Sequence, residues 1–171
     1  MIDPAYVKTL AAYNRWQNAS LYEAAATLTD AQRREDRGAF FKSVHATLNH
    51  LLWADQMWMS RLSDVARPET PFPGIDHVAD WDELTQRRNA LDDRIIAWAG
   101  GLAADDLAGE LVWISGLMGG EARRPRWLAV VHMFNHQTHH RGQVHALLTG
   151  LGAKPRDTDI ILSEFWSPPP G

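Results

Sequence analysis

At 171 residues, with 45% hydrophobic and 22% charged side chains, the chain has the size and balance of one globular domain with a sizeable core, which excludes general disorder. A formal net charge of -4 and the lack of a long basic run exclude nucleic acid as a default partner. The absence of Cys rules out disulfides, a cysteine nucleophile and thiolate ligands, so any metal must be held by His, Asp, Glu or backbone oxygen.

Asp3 caps a predicted helix over 4–26, with Pro4 in its first turn, where a missing N–H costs nothing, and with Tyr6, Leu10, Tyr13 and Leu21 at helical spacing. Leu28 to Gly38 contains the charged cluster Arg33-Arg34-Glu35-Asp36-Arg37 and reads as a solvated connection. A second helix is expected over about 42–62, where Val44, Leu48, Leu51, Met57, Trp58 and Leu62 recur without an internal Gly or Pro. Pro68, Pro71, Pro73 and Gly74 then make 63–79 a long, flexible loop. Asp80 and Glu83 have capping-box spacing and open a third helix with the stripe Leu84, Leu91, Ile95 and Trp98. Glu83 sits four residues before Arg87 on its exposed face, and Gly100-Gly101 ends it.

Glu110 to Ile114 reads as a short strand, and Gly116, Gly119 and Gly120 interrupt the chain after it. A short hairpin or irregular crossover is therefore expected between the third helix and a fourth that begins at Pro125 or Arg126 and reaches about Thr149. Gly150 and Gly152 are its stop signals, and Asp157 to Phe165 reads as a brief closing helix before the Pro168-Pro169-Pro170 tail. Four long amphipathic segments must cover one another's apolar stripes, so the expected fold is all-α, a single four-helix bundle spanning residues 1–171. Trp16, Trp53, Trp58 and Trp127 read as core or interface residues of that bundle. No stretch approaches about 18 uncharged apolar residues, and Met1-Ile2-Asp3-Pro4 lacks the basic and apolar segments of a secretory leader. The expectation is a cytoplasmic protein with no membrane partner.

The chemistry concentrates in the fourth helix, where five of the eight His lie between His132 and His145. A four-residue step on a helix rotates a side chain by only about 40 degrees, so His136 and His140 can reach one metal from adjacent turns. His132 and His136 satisfy the same geometry, so spacing alone leaves the choice open. Two imidazoles give weak geometric control, and a third ligand is expected from the second helix, where His50 sits among large apolar residues. His45 is nearer that helix's start, and His77 falls in the loop. The spacing HExxH, which places a general-base Glu beside two zinc ligands, does not occur. The structural alternative is a packed or hydrogen-bonded His cluster on a helix surface.

Three segments together resemble the DinB-like family of metal-binding four-helix bundles, related in architecture to bacillithiol transferases and the mycothiol-dependent maleylpyruvate isomerase. They are Tyr13-Asn14-Arg15-Trp16-Gln17-Asn18, Asn49-His50-Leu51-Leu52-Trp53 with Trp58 and Arg61, and His136-Gln137-Thr138-His139-His140-Arg141-Gly142-Gln143. The resemblance covers about 3–165. It implies that His50, His136 and His140 are the metal ligands and demotes His132 and His139 from first choice, to packing residues or to residues that orient a ligand or face a pocket. Asn49, Asn135 and Gln137 become candidate outer-shell hydrogen bonders, Gly142 a place of close helix approach, and Gln143 a donor across the bundle. Arg141 is the candidate binder of an acidic substrate or thiol cofactor. The resemblance also implies a homodimer and a role in stress or detoxification.

Three functions are compatible with these residues. The leading one is a metal-dependent transferase that presents an external low-molecular-weight thiol to an electrophilic small-molecule substrate; with no Cys the thiol must come from outside. The second is metal-assisted hydrolysis, with Asp55 or Glu121 as proton shuttle. The third is a metal-stabilised scaffold or stress protein without catalysis. Zinc is the first expectation for a three-imidazole site, with nickel, iron and manganese as alternatives.

Overall fold

The computed structural model describes residues 2–163 and 165. Its elements run α1 (Pro4–Ala26), α2 (Asp30–Arg34), α3 (Val44–Leu62), α4 (Trp81–Gly101), β1 (Glu110–Ser115), β2 (Gly120–Pro125) and α5 (Arg126–Gly150), with short 3-10 turns at Ala104–Leu107 and Ile160–Leu162. The four long helices form a closed ring of neighbours, in which α1 packs on α4 and α5, and α3 packs on the same two. This is the expected bundle. Its core is filled by Val7, Leu21 and Ala25 of α1, Leu48, Leu52 and Met59 of α3, Leu84 and Ile95 of α4, and Val130, Met133, Val144 and Leu148 of α5. Among the described residues no helix is long and apolar enough to cross a membrane.

The helix starts arise from local chemistry. Asp3 accepts from the Tyr6 N–H at 2.8 Å and Asp80 from the Glu83 N–H at 2.8 Å. Helix α3 begins two residues later than its periodicity suggests, because Lys42 adopts φ 68 and Ser43 takes over the cap, accepting from the Ala46 N–H at 3.1 Å. The reciprocal half of the Asp80/Glu83 box is replaced by an ion pair between Glu83 and Arg87 at 2.5 Å. A complete capping box forms instead at Thr29 and Gln32, which opens α2 inside the stretch expected to be a solvated connection. Arg33 corrects that expectation further. It is buried, donates to the Leu28 carbonyl at 2.5 Å near the end of α1, and lies 4.4 Å from the centre of the Trp81 ring.

The segment between α4 and α5 is an antiparallel hairpin in register from Glu110↔Pro125 to Ser115↔Gly120. On β1, Leu111 and Ser115 are buried and Trp113 half-buried, while Val112 and Ile114 face outward. Gly152, at φ 83, lets the chain reverse after α5, with the Ala153 N–H donating to the Leu148 carbonyl at 3.0 Å. The expected closing helix shrinks to the turn Ile160–Leu162; Glu164 and the Pro168-Pro169-Pro170 tail lie outside the described residues.

A polar network crosses the bundle interior. Arg88 of α4 donates to Asp55 of α3 at 2.6 Å and to Asp92 at 2.7 Å, and Asp92 accepts from Asn18 of α1 at 3.0 Å. Arg141 of α5 joins through the side chain of Asn14, which itself donates to Asp92 at 3.3 Å. All six side chains are buried.

Candidate metal centre

The facing positions of α3 and α5 bring His50, His136 and His140 together. Each offers a ring nitrogen within 4.8 Å of the others, and among the described residues no other group of three or more His, Asp or Glu side chains converges in this way. The ring centres are 5.2 Å apart for His50 and His136, 4.7 Å for His50 and His140, and 4.4 Å for His136 and His140. The tight His136/His140 approach is the i, i+4 geometry of one helix face.

The hydrogen bonds orient these rings. His50 Nδ1 lies 2.6 Å from the Pro73 carbonyl, which can only accept, so Nδ1 carries the hydrogen and Nε2 keeps its lone pair. His140 Nδ1 donates in the same way to Gln143 Oε1 at 2.7 Å, while the Gln143 amide nitrogen donates to His139 Nε2 at 3.3 Å. His50 Nε2 and His136 Nε2 face each other at 3.3 Å. Two nitrogens held by a tetrahedral zinc ion at ~2.0–2.1 Å stand about 3.3 Å apart, so this pair already has the separation such an ion requires. His136 Nδ1 is buried without a hydrogen-bond partner.

The site favours neutral imidazole, the form that ligates. Burial pulls His50 down to about 4, against the opposing pull of the Pro73 carbonyl. Burial, together with the neighbouring His140, His50 and His132 rings, pulls His136 down to about 3. Burial also lowers His140, partly offset by Gln143. Phe41, which sequence periodicity gave no reason to single out, closes one side of the trio, its ring centre 4.1 Å from His50 and 5.3 Å from His140. The donor set thus fits a divalent ion: three neutral nitrogens, two of them held by second hydrogen bonds, with no carboxylate among them.

A model of the DinB family matches residues 1–170 of the chain. The chain belongs to the DinB family. No curated protein and no solved structure matches it.

In this DinB chain the remaining sequence candidates fall into place around the trio. His132 is exposed, its ring centre 5.7 Å from His136 and packed edge-on against Trp58 at 4.8 Å. His139 is exposed and accepts from Gln143, which therefore bonds along its own helix and not across the bundle. Gly142 is exposed, and a Cβ built there meets nothing within 4 Å, so it permits no close helix approach. Arg141 is buried, donating to Asn14 and, at 3.2 Å, to Thr138, with its guanidinium over the Tyr13 ring; burial draws its pKa down to about 10. Asn135 is exposed, and Gln137 is fully buried beside Asp55.

The loop 63–79 is knit to α3 rather than free. Asn49 accepts from the Val78 N–H at 2.6 Å, His45 donates to the Val78 carbonyl at 3.1 Å, and Trp53 donates to the Thr70 carbonyl at 2.7 Å. His77, expected in a flexible connection, bonds Thr70 at 2.8 Å and Gln56 at 3.2 Å. These contacts carry the Pro73 carbonyl to His50, so Asn49 supports the centre through the loop.

The same loop forms one wall of a cleft of about 1420 Å³, lined also by Trp53 and Trp58 of α3, Trp113 of the hairpin, and His50, His132 and His136. Two members of the trio therefore open onto a space large enough for a small molecule. Neither acid considered as a proton shuttle lines it: Asp55 is buried against Arg88, and Glu121 is exposed and paired with Arg123 at 3.2 Å.

Proposed function

We propose that this DinB protein is a divalent-metal-dependent transferase that activates a low-molecular-weight thiol for attack on an electrophilic small molecule, with His50, His136 and His140 as the metal ligands. The observation that carries the reading is the convergence of three neutral imidazoles, two of which, His50 and His136, open onto a largely apolar cleft. When bound, the metal, with zinc the first choice and nickel, iron or manganese the alternatives, supplies positive charge that favours the thiolate over the thiol. Pro73 and Gln143 hold two of the imidazoles in the ligating tautomer, Phe41 shields one side of the trio, and the aromatic walls of the cleft exclude water from the electrophile. The resemblance to bacillithiol and mycothiol enzymes supports the choice of a thiol, and the missing cysteine requires that it come from outside.

Arg141 remains the sequence candidate for the thiol cofactor's anionic group, although its buried contacts to Asn14 and Thr138 turn it toward the bundle interior. A homodimer is implied by the same resemblance.

The test combines metal-loaded protein with bacillithiol, mycothiol or another small thiol and a panel of electrophiles, and monitors thioether formation. The reading predicts thiol-dependent product that disappears in His136→Ala. Turnover without thiol would instead establish the hydrolytic reading, and metal retention without turnover in either arm would establish a structural ion.

A further inference from the structure

The floor of the cleft holds His50 and His136, but its far end holds uncompensated positive charge. Arg61, on the last turn of α3, is half-buried, with its guanidinium 4.5 Å from the Trp58 ring centre and 5.3 Å from that of Trp113. Arg67 and Arg124 line the same space, against the single acid Glu69. Among the described residues neither Arg61 nor Arg67 forms an ion pair, with Glu69 or with any other carboxylate. A half-buried guanidinium flanked by a second one and lacking a carboxylate is unusual in a chain whose formal net charge is -4. Burial and the like charge of Arg67 both lower the Arg61 pKa, which measures the same lack of compensation.

The helix also sets a length. His50, Ala54, Trp58 and Arg61 succeed one another on the face of α3 that lines the cleft. Eleven residues at 1.5 Å each separate His50 from Arg61 by about 16 Å along the axis, or roughly 11 Å where the guanidinium folds back one turn over Trp58. Between these ends the wall is Trp53, Ala54, Met57 and Trp58, which offers apolar contact and little hydrogen bonding.

We propose that Arg61, assisted by Arg67, is an anion subsite, and that the cleft takes an elongated, largely apolar carboxylate whose reactive end lies at the imidazole trio. This names a substrate class for the transferase and rests on that reading only for the placement of the reactive end. Arg61 lies on the solvent-open side of the bundle, where a carboxylate can approach it between two aromatic faces; Arg141, by contrast, has its donors engaged inside.

Two binding experiments separate the anion subsite from the metal. In the first, metal-free protein is titrated calorimetrically with undecanoate and with undecanol. The expected result is a roughly 10–100-fold preference for the acid, retained in part by Arg61→Lys and lost in Arg61→Met. Equal affinity of the native protein for acid and alcohol overturns the proposal, as does an undiminished preference in Arg61→Met. If the cleft is filled by a second copy, undecanoate does not bind at concentrations where the chain is dimeric, which also overturns it. In the second, zinc-loaded protein binds ω-mercaptoundecanoate and mercaptoacetate. Arg61→Met is expected to weaken the long thiol at least about tenfold and leave the short one unchanged; equal effects on both overturn the assigned span. Failure of both thiols to perturb the metal, with the acid preference intact in the first experiment, removes the transferase reading and leaves the anion subsite standing.

Discussion

The imidazoles of His50 and His136 lose basicity on folding because they leave water for a site that holds other rings and no carboxylate. The unfolded chain takes up their protons as the pH falls below 6.5, whereas the folded chain resists until about 4 for His50 and about 3 for His136. Within that window the unfolded state binds more protons, so stability falls as the pH falls. For His50 the difference corresponds to about 3 kcal/mol, present above pH 6.5 and lost toward pH 4. Urea unfolding of the metal-free protein should therefore weaken steadily from pH 6.5 to 4, and His136→Gln should flatten the slope; a pH-independent unfolding free energy would contradict the assigned burial. Gln143 acts at the same scale. Its carbonyl fixes the His140 tautomer at 2.7 Å, so Gln143→Leu should cost about 10–100-fold in metal affinity by chelator competition while leaving the helix intact by circular dichroism.

Among the elements, α3 and the loop after it form one unit, since five side chains of the helix bond the loop and the loop returns the Pro73 carbonyl to His50. Gly74 is the tight point: its φ of 72 favours glycine, and a Cβ there would run into the Trp53 ring. Gly74→Ala should cost at least about 1–3 kcal/mol in thermal or urea unfolding and weaken metal binding with it. A variant with native stability would show that the loop does not brace the site. The four long helices were legible in the sequence because each needed an apolar stripe and all but α3 also showed a cap or a Gly stop, and the hairpin because Gly residues interrupted a short strand. The loop's order was not legible, since its bonds depend on Asn49, Trp53 and His77 finding backbone and side chains up to 29 residues away. Arg33 was hidden for a related reason: a charge cluster looks solvated until Trp81 and the Leu28 carbonyl are placed beside one member of it.

For the molecule as a whole, the ring of α1, α4, α3 and α5 is tied internally by Arg88, which neutralises two carboxylates from different helices. Periodicity could not show this, because Asn14, Asp55, Arg88, Asp92 and Arg141 each occupy a stripe position that reads as ordinary helix. Arg88→Met would leave Asp55 and Asp92 buried without their cation, at a cost of about 3–5 kcal/mol in unfolding free energy; a loss below about 1 kcal/mol would mean that the network is not holding the bundle. The His trio was legible because i, i+4 spacing pairs the imidazoles of the last helix and His50 stands among large apolar residues of the second; the family resemblance then decided for His136/His140 over His132/His136. The central claim is that α3 and α5 hold one divalent ion through three imidazoles and leave it an open position. X-ray absorption of the zinc-loaded protein tests it most directly: three imidazole nitrogens and one solvent oxygen at ~2.0–2.1 Å, the oxygen replaced by sulfur at ~2.3 Å when mercaptoacetate is added, is the predicted spectrum. Fewer than three imidazoles, or a shell that does not change with thiol, would contradict it.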